Sequence, residues 1–218
     1  MKCFKIKNKI QYPILIKPVL SHLFVRKFNQ KMFEVNSYEE LTEKIKICFE
    51  SKIEVMIQEK IPGKDSCMYS HNNVISKKGK LLSEIVHNTR RQTPPMFGVT
   101  RVGKTVSVHP QMKRDSTKIL KHVDYSGIAS VQYKKDPRDG IFKLIEVNSR
   151  TTRIMWLYTY SGVNVVRILY DHFVLSLDKF YFKQYRKNVY SIELYSELIS
   201  FLARRKEDDL TFKEYMEP

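Results

Sequence analysis

No apolar run in this sequence exceeds a few residues. Stretches such as Ile14-Leu15-Ile16 and Phe173-Val174-Leu175 fall far short of the ~20 residues that a membrane-spanning helix needs. The opening MKCFKIKNKIQYP scatters lysines and has no apolar core of signal-peptide length, so export is not expected. Cysteine is scarce. Cys3, Cys48 and Cys67 are odd in number, lie far apart and form no CxxC pair, which excludes a disulfide framework and suits a reducing, cytoplasmic setting. The six histidines make no HExxH and no paired spacing, which argues against zinc. No serine sits in GxSxG, and Cys67 has no evident electropositive helix end to activate it. Internal repeats and low-complexity segments are also missing.

Positive charge is abundant. Lysine and arginine number 39 against 23 aspartates and glutamates, a net +16. Such a balance favours anionic partners. The basic residues are nevertheless spread out, with short clusters at Lys77-Lys78, Arg90-Arg91, Lys134-Lys135 and Arg204-Arg205-Lys206. A lysine-rich solvated surface accounts for that pattern, and any nucleic-acid binding is expected to be non-specific.

Periodicity predicts strands over 12–17, 31–36 and 53–58. Ser37 and Glu40 form a capping-box pattern that opens a helix with Leu41, Ile45 and Phe49 at helical spacing. Residues 66–76 and 80–88 read as a hairpin about Lys78-Gly79-Lys80. Residues 89–98, with Pro94-Pro95, read as a loop, and 114–123 as a helix capped by Asp115 or Ser116. Strands over 127–135 and 141–148 flank the turn DPRDG. Residues 161–177 are apolar at helical spacing, 191–205 are expected to be helical, and the tail KEDDLTFKEYMEP is polar. This order predicts an α+β fold with antiparallel sheet.

One motif matches letter for letter. GVTRVGKT, residues 98–105, fits the phosphate-loop pattern GxxxxGK[ST]. Its chemistry needs an apolar strand before the loop and a helix after it, so that loop amides and the helix amino-terminus cradle phosphate. Here RRQTPPMF precedes and the strand-like VSVHP follows, so both flanks speak against it.

A more distributed pattern carries the chemistry better. In the strand KLIEVNSR, Glu146 and Asn148 lie two apart and share a face, offering two oxygen donors to a hard cation such as magnesium. Arg150 continues the row and can meet a phosphate bidentately. An ordinary polar strand face is the alternative. Lys17 closes the apolar strand YPILIK, and VMIQEKIPGKD ends another strand.

Taken in order, YPILIKP, VMIQEKIPGKD, GIASVQYKKDPRDG and KLIEVNSR resemble the ATP-grasp superfamily over about residues 12–175, more closely its predicted carboxylate–amine ligase branch. That branch is related to D-alanine–D-alanine ligase and carbamoyl-phosphate synthetase. The resemblance implies an α+β ATP-grasp fold, two lobes with mixed and antiparallel sheets and a nucleotide cleft between them. The lobes would span 1–62 and 63–177, followed by a helical extension over 178–218. It also implies ATP and magnesium (or manganese) as cofactors, and a reaction that joins a small carboxylate to an amine through an acyl-phosphate. By position, Lys17 would hold the α- and β-phosphates. Gln58, Glu59, Lys60 and Ile61 would meet the adenine edge, and Asp65 the ribose. Glu146 and Asn148 would hold the metal, Arg150 would steady the γ-phosphate and acyl-phosphate, and Arg91 would contact substrate or phosphate.

The sequence departs from the family in three places. Gln132 stands where the family has a second metal carboxylate, so the metal would be held more weakly. The phosphate-covering loop, VLSHLFVRKFNQK, has no glycine; Ser21, His22, Arg26, Lys27 and Lys31 would cover phosphates by side chain. The usual amino-terminal domain finds no room before Tyr12, so a separate chain would supply it or the protein is a remnant. Two readings from other classes stay open: a non-enzymatic nucleic-acid or anion-binding protein, and a P-loop NTPase through residues 98–105.

Overall fold

The computed structural model describes residues 11–93, 98–177, 179, 181 and 184–204. Cys3, Pro94-Pro95, Arg205-Lys206 and the polar tail lie outside them. The chain divides into two units at the Ile61–Pro62 bond.

The first unit is a three-stranded antiparallel sheet, order β2-β1-β3, made by β1 (Ile14–Pro18), β2 (Phe33–Val35) and β3 (Val55–Glu59). Two helices pack on it, α1 (Ser21–Phe28) and α2 (Tyr38–Glu50). Residues 19–31, expected as a phosphate-covering loop, instead contain α1. Phe24 and Phe28 stand at four-residue spacing and glycine is absent, so a helix can turn both rings onto the sheet. Phe24 is fully buried, with its ring 4.7 Å from Phe28 and 4.8 Å from Phe33 in edge-on geometry. In α2 the Ser37 hydroxyl accepts from the Glu40 amide, as expected. Glu40 reaches back to the Asn36 amide at 2.8 Å, one residue beyond the capping-box partner. Leu41 and Cys48 are the buried residues of α2, while Phe49, expected on the apolar stripe, is 73% exposed.

The second unit is a six-stranded antiparallel sheet, order β8-β7-β4-β5-β6-β9. Its strands are β4 (Met68–Ile75), β5 (Leu81–Thr93), β6 (Val99–Val106), β7 (Gly127–Lys135), β8 (Phe142–Asn148) and β9 (Tyr190–Ile192). The β4–β5 hairpin turns where expected. Gly79 takes φ of 72°, and the Ser76 hydroxyl accepts from the Lys78 and Lys80 amides. The β7–β8 turn is DPRDG, in which the Asp136 carboxylate accepts from the Arg138 amide and guanidinium. Those bonds hold the Asp136 carboxyl down to about 2.

One sheet face carries α3 (Pro110–His122), over a core of Val86, Met112, Leu120, Val131, Tyr133 and Phe142. Helix α3 begins earlier than the sequence reading placed it. His109 caps it by accepting from the Gln111 amide, and Pro110 opens it, so Asp115 and Ser116 lie inside. Beneath α3, the fully buried His71 bridges Ser116 and Glu84 at 3.0 Å each, and Ser116 also meets the Tyr133 hydroxyl at 2.8 Å. Serine, histidine and glutamate in a row suggest hydrolase chemistry. Ser116 has no exposed surface, however, and the chain of bonds fastens helix to sheet.

The opposite face is covered at one end by α4 (Met155–Tyr160) and α5 (Val165–Leu169), which runs into a π-helical turn at Tyr170–Val174. Their core joins Val74, Ile85, Ile128, Leu157, Tyr158 and Ile168. Residues 89–93, expected as loop, extend β5. The segment from residue 178, expected as a helical extension, holds a short strand, β9, besides α6 (Leu194–Arg204).

Candidate functional site

The register of the six-stranded sheet determines which side chains share its second face. Gln132 is opposite Glu146 and Ser130 opposite Asn148 across β7–β8. On β7's other side, Ser70 faces Gln132 and Asn72 faces Ser130. Across β4–β5, His87 faces Ser70. Cross-strand partners and i, i+2 neighbours lie on one face. The part of that face beside the α4–α5 core therefore carries Ser70, Asn72, His87, Ser130, Gln132, Glu146 and Asn148.

The three residues that the sequence assigned to a metal thus fall together. Asn148 donates to the Glu146 carboxylate at 2.8 Å, with Gln132 on the adjacent strand directly opposite Glu146. Glu146 is exposed, while Gln132 and Asn148 are half-buried. This is an all-oxygen set with one negative charge, matched to a hard divalent cation and unsuited to a soft one. Among the described residues, no three or more His, Cys, Asp or Glu side chains gather as a metal cluster. Ser130, which sequence reading missed, is fully buried on this face, and its hydroxyl finds no partner among the described residues.

The remaining assigned residues are placed as follows. Arg150 follows β8, is exposed, and donates to the Thr151 carbonyl at 3.2 Å. Arg91, on β5, is paired with Glu197 of α6. Asp65 precedes β4, and its two carboxylate oxygens accept from the Gln92 amide and side chain, each at 2.9 Å. In the first unit, Lys17 is half-buried on β1 opposite Met56. Gln58 and Glu59 lie on β3 opposite Leu15 and Ile14. Lys60 pairs with Glu34 at 2.5 Å and its amide donates to the Pro13 carbonyl. Ile61 is buried, Lys27 is exposed on α1, and Lys31 is exposed just after it.

Residues 98–105 do not form a phosphate loop. All but Gly98 belong to β6, Thr105 is fully buried, and Lys104 lies over the Tyr190 ring at 5.1 Å. A Cβ on Gly103 would come within 2.3 Å of the Ile154 side chain, so this glycine serves close packing of α4's lead-in on the sheet. Amides bonded within a strand ladder cannot cradle an anion.

His87 lies deeper on the same face. Its Nδ1 is 2.8 Å from the Tyr158 hydroxyl, which also approaches Thr152 at 3.3 Å. Burial pushes the His87 imidazole down to about 4 and pushes the Tyr158 phenol up. His87 is therefore a neutral hydrogen-bonding support near pH 7 and no proton shuttle.

Residues 105–166, which include the β7–β8 hairpin, match the family model described as the ATP-binding domain of the carbamoyl-phosphate synthase L chain. D-aspartate ligase of Enterococcus faecium (strain Aus0004) is 27% identical over 168 residues, covering 73% of this chain and 39% of that protein. Among solved structures, the biotin carboxylase domain of Hydrogenobacter thermophilus 2-oxoglutarate carboxylase superposes with a TM-score of 0.61 at 16% identity. The match covers 85% of this chain and 42% of that one, and that structure holds magnesium ADP, ADP and bicarbonate. N5-carboxyaminoimidazole ribonucleotide synthetase in its ADP complex also gives 0.61, at 10% identity, covering 91% and 52%. This chain thus spans well under two thirds of the length of each of these relatives.

Proposed function

This chain has the ATP-grasp fold, and from that premise we propose that it binds ATP with magnesium and serves carboxylate–amine ligation. The observation that carries the reading is the β7–β8 hairpin, which sets Gln132, Glu146 and Asn148 on one face in register. Structural neighbours hold magnesium ADP or ADP, and the curated relative is a D-aspartate ligase. A ligase of this class moves the γ-phosphoryl group of ATP onto a carboxylate oxygen, giving an acyl-phosphate and ADP. An amine then attacks the acyl carbon and expels phosphate, leaving an amide.

In this reading Glu146 and Asn148 hold the metal, with the Gln132 amide oxygen beside them. Bound magnesium supplies neutralisation of phosphate charge. Lys17 supports the α- and β-phosphates, helped by Lys27 and Lys31, and the backbone of Gln58, Glu59, Lys60 and Ile61 faces the adenine. Asp65 is assigned to the ribose, in exchange for its bonds to Gln92. Arg150, exposed at the end of the metal strand, steadies the transferring phosphoryl group and the acyl-phosphate. Arg91 reaches substrate only by leaving Glu197. Phosphoryl transfer depends mostly on positioning and charge neutralisation, and these groups supply both. A domain contributed by another chain, or by a longer form of this protein, would complete the amine site.

The test is the ranking of two lysines. Calorimetric titration of ATP should show Lys17→Ala weakening affinity by roughly ten- to a hundredfold, the value of a charge-assisted bond of about 1.5–3 kcal/mol. Lys104→Ala should leave affinity nearly unchanged. The reverse ranking would overturn the reading.

A further inference from the structure

A cavity of about 240 Å³ lies between β6, β9 and the start of α4, lined by Thr100, Arg101, Arg153, Trp156, Ser191 and Glu193 among others. It opens over β6, four strand positions from β8 in the sheet order, on the order of 19 Å at ~4.8 Å per strand. Register places Ser191 opposite Gly103, and Glu193 donates its amide to the Arg101 carbonyl, so β9 closes the cavity along one side.

The electrostatics of the cavity are unusual. Arg101 is largely withdrawn from solvent, with 13% of its side chain exposed. One Glu193 oxygen pairs with the Arg101 Nη1, and the other lies 3.3 Å from the Arg153 Nη2. The Arg101 Nε is fully buried and finds no acceptor among the described residues. A buried guanidinium donor left unmade costs free energy. Two guanidinium charges less the Glu193 carboxylate leave one positive charge. The arrangement already holds a planar two-oxygen anion between two arginines, the geometry for which guanidinium is suited. Trp156, 73% exposed, and Ile192, 47% exposed, add apolar surface at the rim.

We propose that this cavity is a binding site for a small monocarboxylate, whose oxygens accept from the Arg101 and Arg153 guanidinium groups while its apolar part lies on Trp156. One net positive charge suits a monoanion better than a phosphate dianion. The volume lies below the ~300–1,000 Å³ of drug-sized sites, so the ligand is small. The site stands apart from the nucleotide reading, and its test needs no ATP.

Trp156 is the chain's single tryptophan, so its emission reports on the cavity directly. Benzoate is titrated into the full chain at constant ionic strength, with excitation at the red edge of tryptophan absorption. The expected result is a saturable change in emission. Arg101→Gln and Arg153→Gln should each raise the dissociation constant roughly tenfold or more, the loss of one charge-assisted contact. Glu193→Gln, which removes the resident carboxylate, should lower it. Far-UV circular dichroism checks each fold. If Arg101→Gln does not fold, Arg153→Gln decides, because 62% of its side chain is exposed. No saturable change, an unaltered response in a folded arginine variant, or competition by inorganic phosphate as strong as by benzoate itself would overturn the proposal.

Discussion

Lowering the pH from 7 to 5 should weaken the second unit through one buried side chain. His87 is 2% exposed, and burial brings its imidazole from the ordinary 6.5 down to about 4. Between those two values the unfolded chain binds a proton at His87 that the folded chain refuses. Stability therefore falls as pH falls through this window; the contribution is complete above about 6.5 and lost below about 4. Its full size is about 3 kcal/mol, and about 2 kcal/mol of that goes between pH 7 and pH 5. The carboxyls of Glu84, Asp136, Asp171 and Glu193 all lie below their ordinary range, so they contribute to acid weakening mainly at lower pH. For Glu84, burial raises the carboxyl, but bonds from His71 and Lys113 outweigh it. Urea unfolding followed by Trp156 emission and circular dichroism should show the wild type losing about 2 kcal/mol more than His87→Gln between pH 7 and 5. Glutamine keeps a polar partner for Tyr158 without titrating. Equal losses in both proteins would refute the assignment of a neutral buried imidazole.

Three further outcomes follow from the packing and the charge. Gly103→Ala places a methyl 2.3 Å from the Ile154 side chain and should cost about 1–3 kcal/mol in thermal or urea unfolding; Ile154→Val should restore part of it in the double mutant. Ser37→Ala removes the hydroxyl that accepts from the Glu40 amide and should cost about 1 kcal/mol in the first unit, read by circular dichroism. DNA or RNA binding driven by the net +16 should be indifferent to sequence and fall about a thousandfold between low and moderate salt if six or more phosphates are neutralised. A tight, sequence-selective complex at physiological salt would instead favour a nucleic-acid function.

Strands with period-two alternation and turns with strong chemistry were legible. The Lys78-Gly79 and DPRDG turns fixed two hairpins, and the Glu146–Asn148 face followed from alternation alone. What the sequence hid depends on pairing between distant residues. Ser70, Asn72, His87 and Ser130 join the polar face only through the register of β5 on β4 and β4 on β7. The Arg101–Glu193 pair spans 92 residues and rests on a three-residue strand. Helix α1 occupies the segment that the family resemblance makes a loop, although Phe24 and Phe28 already stand at helical spacing there. The start of α3 was misplaced because Asp115 and Ser116 are better caps in general than His109, yet Pro110 makes the first turn cheaper there. Helix α4, six residues long with no side-chain cap, offers too little periodicity to register.

The most direct test of the central claim is nucleotide affinity measured with and without magnesium in the wild type, Glu146→Gln and Gln132→Glu. Glu146 is the one carboxylate in the oxygen set on the β7–β8 face, and a glutamate at 132 would stand directly opposite it. Glu146→Gln should lower magnesium-dependent ATP affinity by about tenfold. Gln132→Glu should raise that affinity, or the magnesium-dependent hydrolysis of ATP. Metal-free affinity should stay flat in Glu146→Gln and flat or slightly reduced in Gln132→Glu, through repulsion of the phosphates. If neither substitution alters the magnesium dependence, these strands do not form a metal site, and the ligase reading fails with them.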